Sequence, residues 1–400
     1  MASEWTRYIV SDIGKIVTGK TPKTSNPDFY GGSIPFLTPS DNMSVKYVLS
    51  TSKTITELGK LSVKNSVIPA DSVCVSCIGS DLGKVVITTE ETVTNQQINS
   101  IVIDKSRFDV DFVYYSMIVL GRLLNYHSKT STAVPIVNKS TFSQYEIFCP
   151  SLGKQKQIAS ILSEIDNKIA LNTAINENLE QQAQAIFKSW FVDFEPFGGI
   201  MPDDWKTGTI ADLGTVVGGG TPSKKVEEYY TTNGIAWITP KDLSNDKSKF
   251  IAHGQTDISD LGLAKSSATL MPKGTVLFSS RAPIGYIAIA NDQVSTNQGF
   301  KSVVPFENIG TAYVYYFLKN NLSAIENVAS GSTFKEVSGS TMKNFGAVIP
   351  DNDTLAKFQQ FCTPLFEQQC ALECENCYLS ALRDTLLPKM MSGEIDVSDV

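Results

Sequence analysis

Gly19-Lys20-Thr21-Pro22 and Gly219-Gly220-Thr221-Pro222 are one turn written twice, 200 residues apart. Upstream, Trp5 answers to Trp205 and Asp12-Ile13-Gly14 to Asp212-Leu213-Gly214. Downstream, Phe29-Tyr30 matches Tyr229-Tyr230, Thr38-Pro39 matches Thr239-Pro240, and Thr94-Asn95-Gln96 matches Thr296-Asn297-Gln298. The offset drifts by one to three residues in mid-repeat and returns to 200 at Pro150 and Pro350. A solenoid unit runs about 20–50 residues, so this period is a duplicated domain rather than a stacked repeat. Two similar but unequal copies of one module suit a ligand with two similar but unequal halves.

Short β-branched runs at Ser72–Ile78, Lys84–Thr88 and Ile98–Ile103 read as strands, and Thr275–Ser279 and Tyr286–Ala290 repeat the pattern. Phe112–Tyr126 and Ala312–Ile325 carry aromatics at helical spacing. Each module is therefore mixed α and β, with Gly/Ser/Thr/Asn-rich loops between the elements. After each module comes a long amphipathic stretch. Its apolar positions are Ile158, Ile161, Ile165, Ile175, Leu179 and Ile186 in the first copy. In the second they are Phe358, Phe361, Leu365, Leu372, Leu379, Leu382 and Leu386. The alternating spacing of three and four, in one shared phase, predicts coiled-coil register, each copy an uninterrupted helix of about 33 residues and roughly 50 Å. Lys168, Asn172 and Gln182 interrupt the first seam, and Gln368 and Glu375 the second. Polar residues at such positions cost stability but fix register. The expected architecture is α+β, with two tandem mixed α/β modules separated by two long helices that pair as an antiparallel coiled coil about a pseudo-twofold axis. Its segments are a first module at 1–150, a first spacer helix at 151–195, a second module at 196–350, and a second helix with tail at 351–400.

The net charge of −7 is unevenly placed. The two modules carry +1 and zero, whereas 151–200 carries −2 and the last fifty residues −6. Neutral modules permit a local basic face without requiring one. No apolar run approaches the ~20 residues of a membrane span, and the start Met-Ala-Ser-Glu-Trp has no secretory pattern. Seven scattered cysteines suit reduced thiols and a cytoplasmic location.

Catalytic constellations are weak. Gly14 to Thr21 formally matches a phosphate-binding loop, but Pro22 follows where a helix must begin, and the second copy lacks the lysine. Asn26-Pro27-Asp28-Phe29 is a poor match to an adenine-methyltransferase site and reads as a turn. Cys74 and Cys77 fall in a strand, where side chains three apart oppose each other. Cys370, Cys374 and Cys377 share a helix face but have no fourth ligand, and His127 and His253 are the chain's only histidines. No catalytic set and no metal site is expected.

The whole plan resembles the specificity (S) subunits of type I restriction–modification enzymes. The helix endings Ile186-Phe187-Lys188-Ser189-Trp190-Phe191-Val192-Asp193-Phe194 and Leu386-Leu387-Pro388-Lys389-Met390-Met391-Ser392-Gly393-Glu394-Ile395 are the most specific signs. Gly-x-Thr-Pro and Thr-Asn-Gln support them, while Gly153-Lys154-Gln155-Lys156 departs from the acidic stretch expected at the first helix entry. The resemblance implies two target-recognition domains, each reading one half of a split asymmetric sequence in double-stranded DNA. It implies docking of two modification (methyltransferase) subunits and of restriction subunits. S-adenosylmethionine would sit on the methyltransferases, with no cofactor on this chain and no membrane partner. Readers on a stiff support would sample half-sites about one helical turn, or 34–36 Å, apart.

The contact candidates lie in loops that recur. In the first module they are Lys20, Thr21, Lys23, Ser40, Asp41, Ser76, Asn95, Gln96, Thr132 and Lys139. In the second they are Thr221, Ser223, Lys224, Lys241, Asp242, Ser280, Arg281, Asn297, Gln298, Thr333 and Lys335. Features common to both halves suit phosphate contact or loop support, while differences such as Arg281 against Ile78 suit sequence choice. Two other classes stand beside this reading: a duplicated protein-binding scaffold, and a P-loop NTPase built on Gly14–Thr21.

Overall fold

The computed structural model describes residues 5–129, 136–331 and 335–397. The chain divides into two compact units, 1–170 with 377–400, and 171–376. Each holds one module and part of both long helices.

In the first unit a five-stranded sheet runs in the order Gly14–Thr18, Ile98–Ile103, Ser72–Ser76, Val85–Thr88, Tyr47–Val48. Its strands are apolar on both faces, and the two-residue period sorts them into two cores. Ile16, Val73, Val75, Ile87 and Ile101 pack under helix α1 (Val110–Lys129). Val17, Cys74, Val86 and Ile98 point the other way, against Leu37, Met43 and Ile68. A four-stranded sheet, ordered Thr54–Ile55, Tyr30–Leu37, Thr92–Thr94, Val67–Ile68, supplies part of that second layer. The ends of the module meet in a two-stranded ribbon, Thr6–Ile9 against Glu146–Cys149. Helix α2 (Leu152–Phe191) follows, and its entry is fixed by buried Gln155. That amide accepts from the Asp109 N–H at 2.9 Å and donates to the Pro150 carbonyl at 2.9 Å.

The second unit repeats the order: Gly214–Gly218, Lys301–Pro305, Val276–Ser280, Ile284–Ala290, Phe250–Ile251. Val276, Phe278 and Ile289 face helix α3 (Thr311–Asn320), while Leu277, Ala288 and Ala290 face the opposite core. Lys206–Thr209 pairs with Gly346–Ile349 as the closing ribbon. Asp351 then starts helix α4 (Asn352–Met391), accepting from the Thr354 N–H at 2.9 Å and from the Trp205 indole at 3.0 Å.

Within each unit the long helices run antiparallel. In the second, Asn172 donates to Asn376 at 2.9 Å, Asn176 pairs with Gln369, and Phe187 lies 5.9 Å from Phe358, so numbers rise on α2 as they fall on α4. In the first, Ile158 and Leu162 share a core with Leu387 and Met390, and Arg383 reaches Asp166 at 2.9 Å.

Two features of the helices differ from the sequence expectation. Both run for 40 residues rather than about 33, and Pro364 and Pro388 lie inside α4. The burial phase also differs from a simple heptad. Ile158, Leu179 and Phe358 are buried and most other expected seam positions half-buried, but Phe361 turns outward at 39% exposure while its neighbour Cys362 is fully covered. Leu162, Ala183, Phe187, Leu355 and Phe366 are buried as well. Each helix packs on its partner and on a module, so its covered stripe is wider than a two-helix seam. Of the polar interruptions, Asn172 is buried, and on α4 the buried amide is Gln369 rather than exposed Gln368.

Phe358→Ala, which empties a site lined by Phe187, Phe191 and Tyr316, is expected to cost about 3–5 kcal/mol in urea unfolding. Phe361→Ala should cost less than about 1 kcal/mol; equal losses would contradict the burial phase.

Candidate nucleic-acid interface

Four loop segments converge at one end of the sheets in each unit. In the first, the Gly19 N–H donates to the Ile98 carbonyl at 3.1 Å and the Lys20 N–H to Thr94 at 2.8 Å. A Cβ on Gly19 would sit 2.1 Å from the Asn95 carbonyl oxygen, so only glycine permits this approach. Gly219 stands in the same relation to Asn297, at 1.8 Å. The turn is then tied to the second motif by side chains. Thr21 donates to Gln96 at 2.7 Å, Thr221 donates to Gln298, and the Tyr30 and Tyr230 hydroxyls donate to the Pro22 and Pro222 carbonyls. The Asn95 N–H bonds to the Leu37 carbonyl and the Asn297 N–H to Ile238, which places the Thr-Pro loops alongside. Cys77 joins Gln97 to Val137 through its backbone, as Ser280 joins Gly299 to Val337.

The candidate residues fall into two groups. Lys20, Lys23, Ser40, Gln96 and Lys139 are exposed in the first unit, as are Ser223, Lys224, Lys241, Gln298 and Lys335 in the second. Thr21, Thr221 and Arg281 are partly exposed on the same rims. Lys20, Lys23, Lys224 and Lys241 form no ion pair among the described residues. Thr132 and Thr333 lie outside the described residues.

The other group is buried or half-buried. Asn95 is buried, accepting from the Gln97 N–H at 3.0 Å and donating to its side chain at 2.9 Å. Asn297, half-buried, accepts from the Gly299 N–H at 2.8 Å. Asp41 accepts from the Thr38 and Ser52 N–H groups at 2.8 and 2.7 Å, and Asp242 does the same for Thr239 and Gln255. Burial opposes the Asp41 charge, but the bonds from Ser52 and Thr38 outweigh it and hold the carboxyl below its ordinary value. Ser76 and Ser280 are fully buried at strand ends. Asn95, Asn297, Asp41 and Asp242 spend their side-chain oxygens on backbone N–H groups of their own loops, which accounts for their recurrence.

The sequence reading set Arg281 against Ile78 but missed a second difference between the halves. At matching points of the two sheets stand Asn99 and Lys301, partners of Thr18 and Gly218. Asn99 is buried, accepts from the Thr18 hydroxyl at 2.6 Å, and keeps that corner neutral. Lys301 instead lies 3.5 Å from Glu336, which also pairs with Arg281 at 3.4 Å. Position Ile78 of the first unit is Arg281 in the second, each directly after the backbone junction described above. The signal was present in the offset of 202 between residues 99 and 301.

The phosphate-loop alternative fails on geometry. Gly14–Thr18 is a strand hydrogen-bonded to Ile98–Ile103, and no helix begins directly after Lys20. Cys74 and Cys77 are buried, with Cys74 against the Ser100 hydroxyl and its thiol pushed up to about 12 by burial. No group of His, Cys, Asp and Glu suited to a metal ion occurs among the described residues.

Comparison with known proteins gives one consistent result. The family model for the type I restriction modification DNA specificity domain matches residues 2–181 and 202–365. The type I restriction enzyme MjaIX specificity subunit of Methanocaldococcus jannaschii is 39% identical over 171 residues, which span 42% of this chain and 39% of that protein. The HindI specificity subunit of Haemophilus influenzae is 24% identical over 475 aligned positions, covering 98% of this chain and 100% of that one. The crystal structure of the type-I restriction-modification S subunit from M. genitalium shares the fold, at a TM-score of 0.58, 14% identity and 96% coverage of both chains. No helix among the described residues is long and apolar enough to cross a membrane.

Asn95→Ala should lower stability by about 1–2 kcal/mol, because the Gln97 N–H loses its acceptor; thermal unfolding checks it. For Asp41 the folded-state carboxyl is the stronger acid, so its contribution is present above about pH 4 and lost on acidification. Asp41→Asn should therefore flatten the acid limb of the stability curve. An unchanged limb would count against the loop-holding role.

Proposed function

Because the chain belongs to the family of type I restriction modification DNA specificity proteins, we propose that its two modules read the two halves of a split, asymmetric DNA target. The chain is a specificity subunit, whose role is recognition and not catalysis. Methyltransferase subunits, two per chain, would dock on it and carry the S-adenosylmethionine, and restriction subunits would join that core. The observation that carries the proposal is the convergence of the same loops in both units around different side chains. Lysines on the rims of both units, at positions that differ between the copies, and the shared Thr21 and Thr221 suit phosphates, which fix register without choosing sequence. Arg281 and Lys301, where the first unit has Ile78 and the buried Asn99, suit base choice in the second unit, since a cation reads guanine in the major groove.

Mapping adenine methylation in cells that express the chain with its cognate methyltransferase tests this reading. One split motif with a fixed spacer is expected, and exchanging residues 1–150 should alter one half alone. An active, bound methyltransferase that gains no motif would leave a protein-binding scaffold as the better account. Arg281→Ala should relax one base position by about 1–3 kcal/mol and leave the other half untouched. Lys20→Ala and Lys224→Ala should each weaken all DNA alike and reduce the salt slope of binding by about 1.

A further inference from the structure

Beneath the second module, away from the loops, an ammonium group is enclosed in aromatic rings. The Lys249 side chain is 7% exposed, and its Nζ lies 3.6 Å from the ring centre of Phe366, 4.6 Å from Tyr315 and 5.0 Å from Tyr316. An ammonium has three protons to donate, and all three find acceptors: Glu180 at 2.8 Å, Gln369 at 3.0 Å and the Tyr316 hydroxyl at 3.0 Å. Those acceptors sit on α2, α4 and α3. Lys319 reaches the second oxygen of Glu180 at 2.5 Å. Burial alone would raise the Glu180 carboxyl, but the Lys249 and Lys319 ammoniums outweigh it and hold it at about 2.

The backbone of the same residue is fastened too. The N–H groups of Lys249 and Phe250 donate to the two oxygens of Glu373 on α4, at 2.9 and 3.0 Å. Phe250–Ile251 is the edge strand of the five-stranded sheet. One residue therefore ties the module's edge strand and its helix to both long helices. Packed apolar side chains would fill such a site at less cost than buried charges, whose particular contribution is a defined geometry.

The first unit places Lys46 at the matching point: its carbonyl accepts from Ile87 at 2.8 Å, as that of Lys249 does from Ile289. There the ammonium turns to Asp111 of its own module at 2.9 Å and to the Ser163 hydroxyl of α2 at 2.7 Å. Its charge is spent within the module, and the helix-borne carboxylate, Asp166, pairs with Arg383 and Tyr115.

We propose that Lys249 is a positioning residue that sets how the second recognition module is seated on its helix pair, and thereby fixes the spacer that the complex accepts. The proposal rests on the split-target reading above. One base pair of spacer amounts to about 3.4 Å along the duplex, a displacement that a loosened edge strand and ammonium site would allow.

The test maps methylation by the assembled complex carrying Lys249→Met, beside wild type. Both half-site sequences should stay as they are, while sites with a spacer one base pair longer or shorter become methylated above the wild-type level. Lys46→Met should leave the spacer single. If Lys249→Met prevents assembly, Glu373→Ala, which keeps all three acceptors of the ammonium and removes both acceptors of the strand backbone, answers the same question. A single unaltered spacer in the assembled variant overturns the proposal, as does degeneracy confined to the bases of one half-site. A wild-type complex with no split motif instead defeats the functional reading on which it rests.

Discussion

Both faces of each five-stranded sheet are buried, and the rest of the molecule follows from that constraint. A strand that is apolar on both sides must be covered on both sides. The chain covers one face with a helix and the other with a second, smaller sheet. Little room remains on the strands for polar chemistry. It is displaced to the strand ends, where Gly19 and Gly219 let one loop lie directly on the backbone of another. The polar rim is thus a by-product of how the core is closed.

That origin explains why the loops are legible in the sequence and their roles are not. Gly-x-Thr-Pro and Thr-Asn-Gln are repeated, polar and set between strands, which is what a recognition loop looks like. Most of that repetition comes from mutual support. Thr21 meets Gln96, Asn95 closes a turn on Gln97, and Asp41 bonds the N–H groups at the base of its loop. A residue that holds a loop must be the same in both copies, whereas one that chooses a base must differ when the two half-sites differ. Recurrence therefore marks the loops and hides the residues proposed to choose bases. Arg281 was visible as a difference, but Lys301 was not. Its partner Asn99 lies in an apolar strand, and only strand register brings the two to one point.

The helices show a related limit. Their existence, order and shared phase follow from the spacing of Ile158, Leu179, Phe358 and their neighbours, while the antiparallel direction is what the family resemblance implied. The expectation of a heptad supposes one partner, and each helix here has two neighbours to satisfy. The second adds a strip of buried positions, among them Ala183, Phe187 and Cys362, and turns Phe361 out. Pro364 is tolerated within α4, as tertiary packing often overrides local propensity. No periodicity could have identified Lys249, because a lone lysine ahead of a two-residue strand reads as solvated surface until three helices are folded around it.

On the proposed reading of a split, asymmetric target, a duplicated chain has to solve two problems with one ancestral design. It must diverge where bases are chosen, and it must hold each reader firmly enough that the distance between readings has meaning. The first problem is met at exposed loop ends, where substitution costs little stability. The second is met where substitution costs most, among buried charges. The two units accordingly differ at both levels. A neutral amide corner in one is a cationic corner in the other, and Lys46 pairs with Asp111 of its own module and reaches one long helix through the Ser163 hydroxyl, where Lys249 bonds to both helices. Divergence in the anchoring lysines has no bearing on which bases are read. Its physical consequence is mechanical: the two readers need not be held with equal stiffness, and the spacer is only as well defined as the looser of the two.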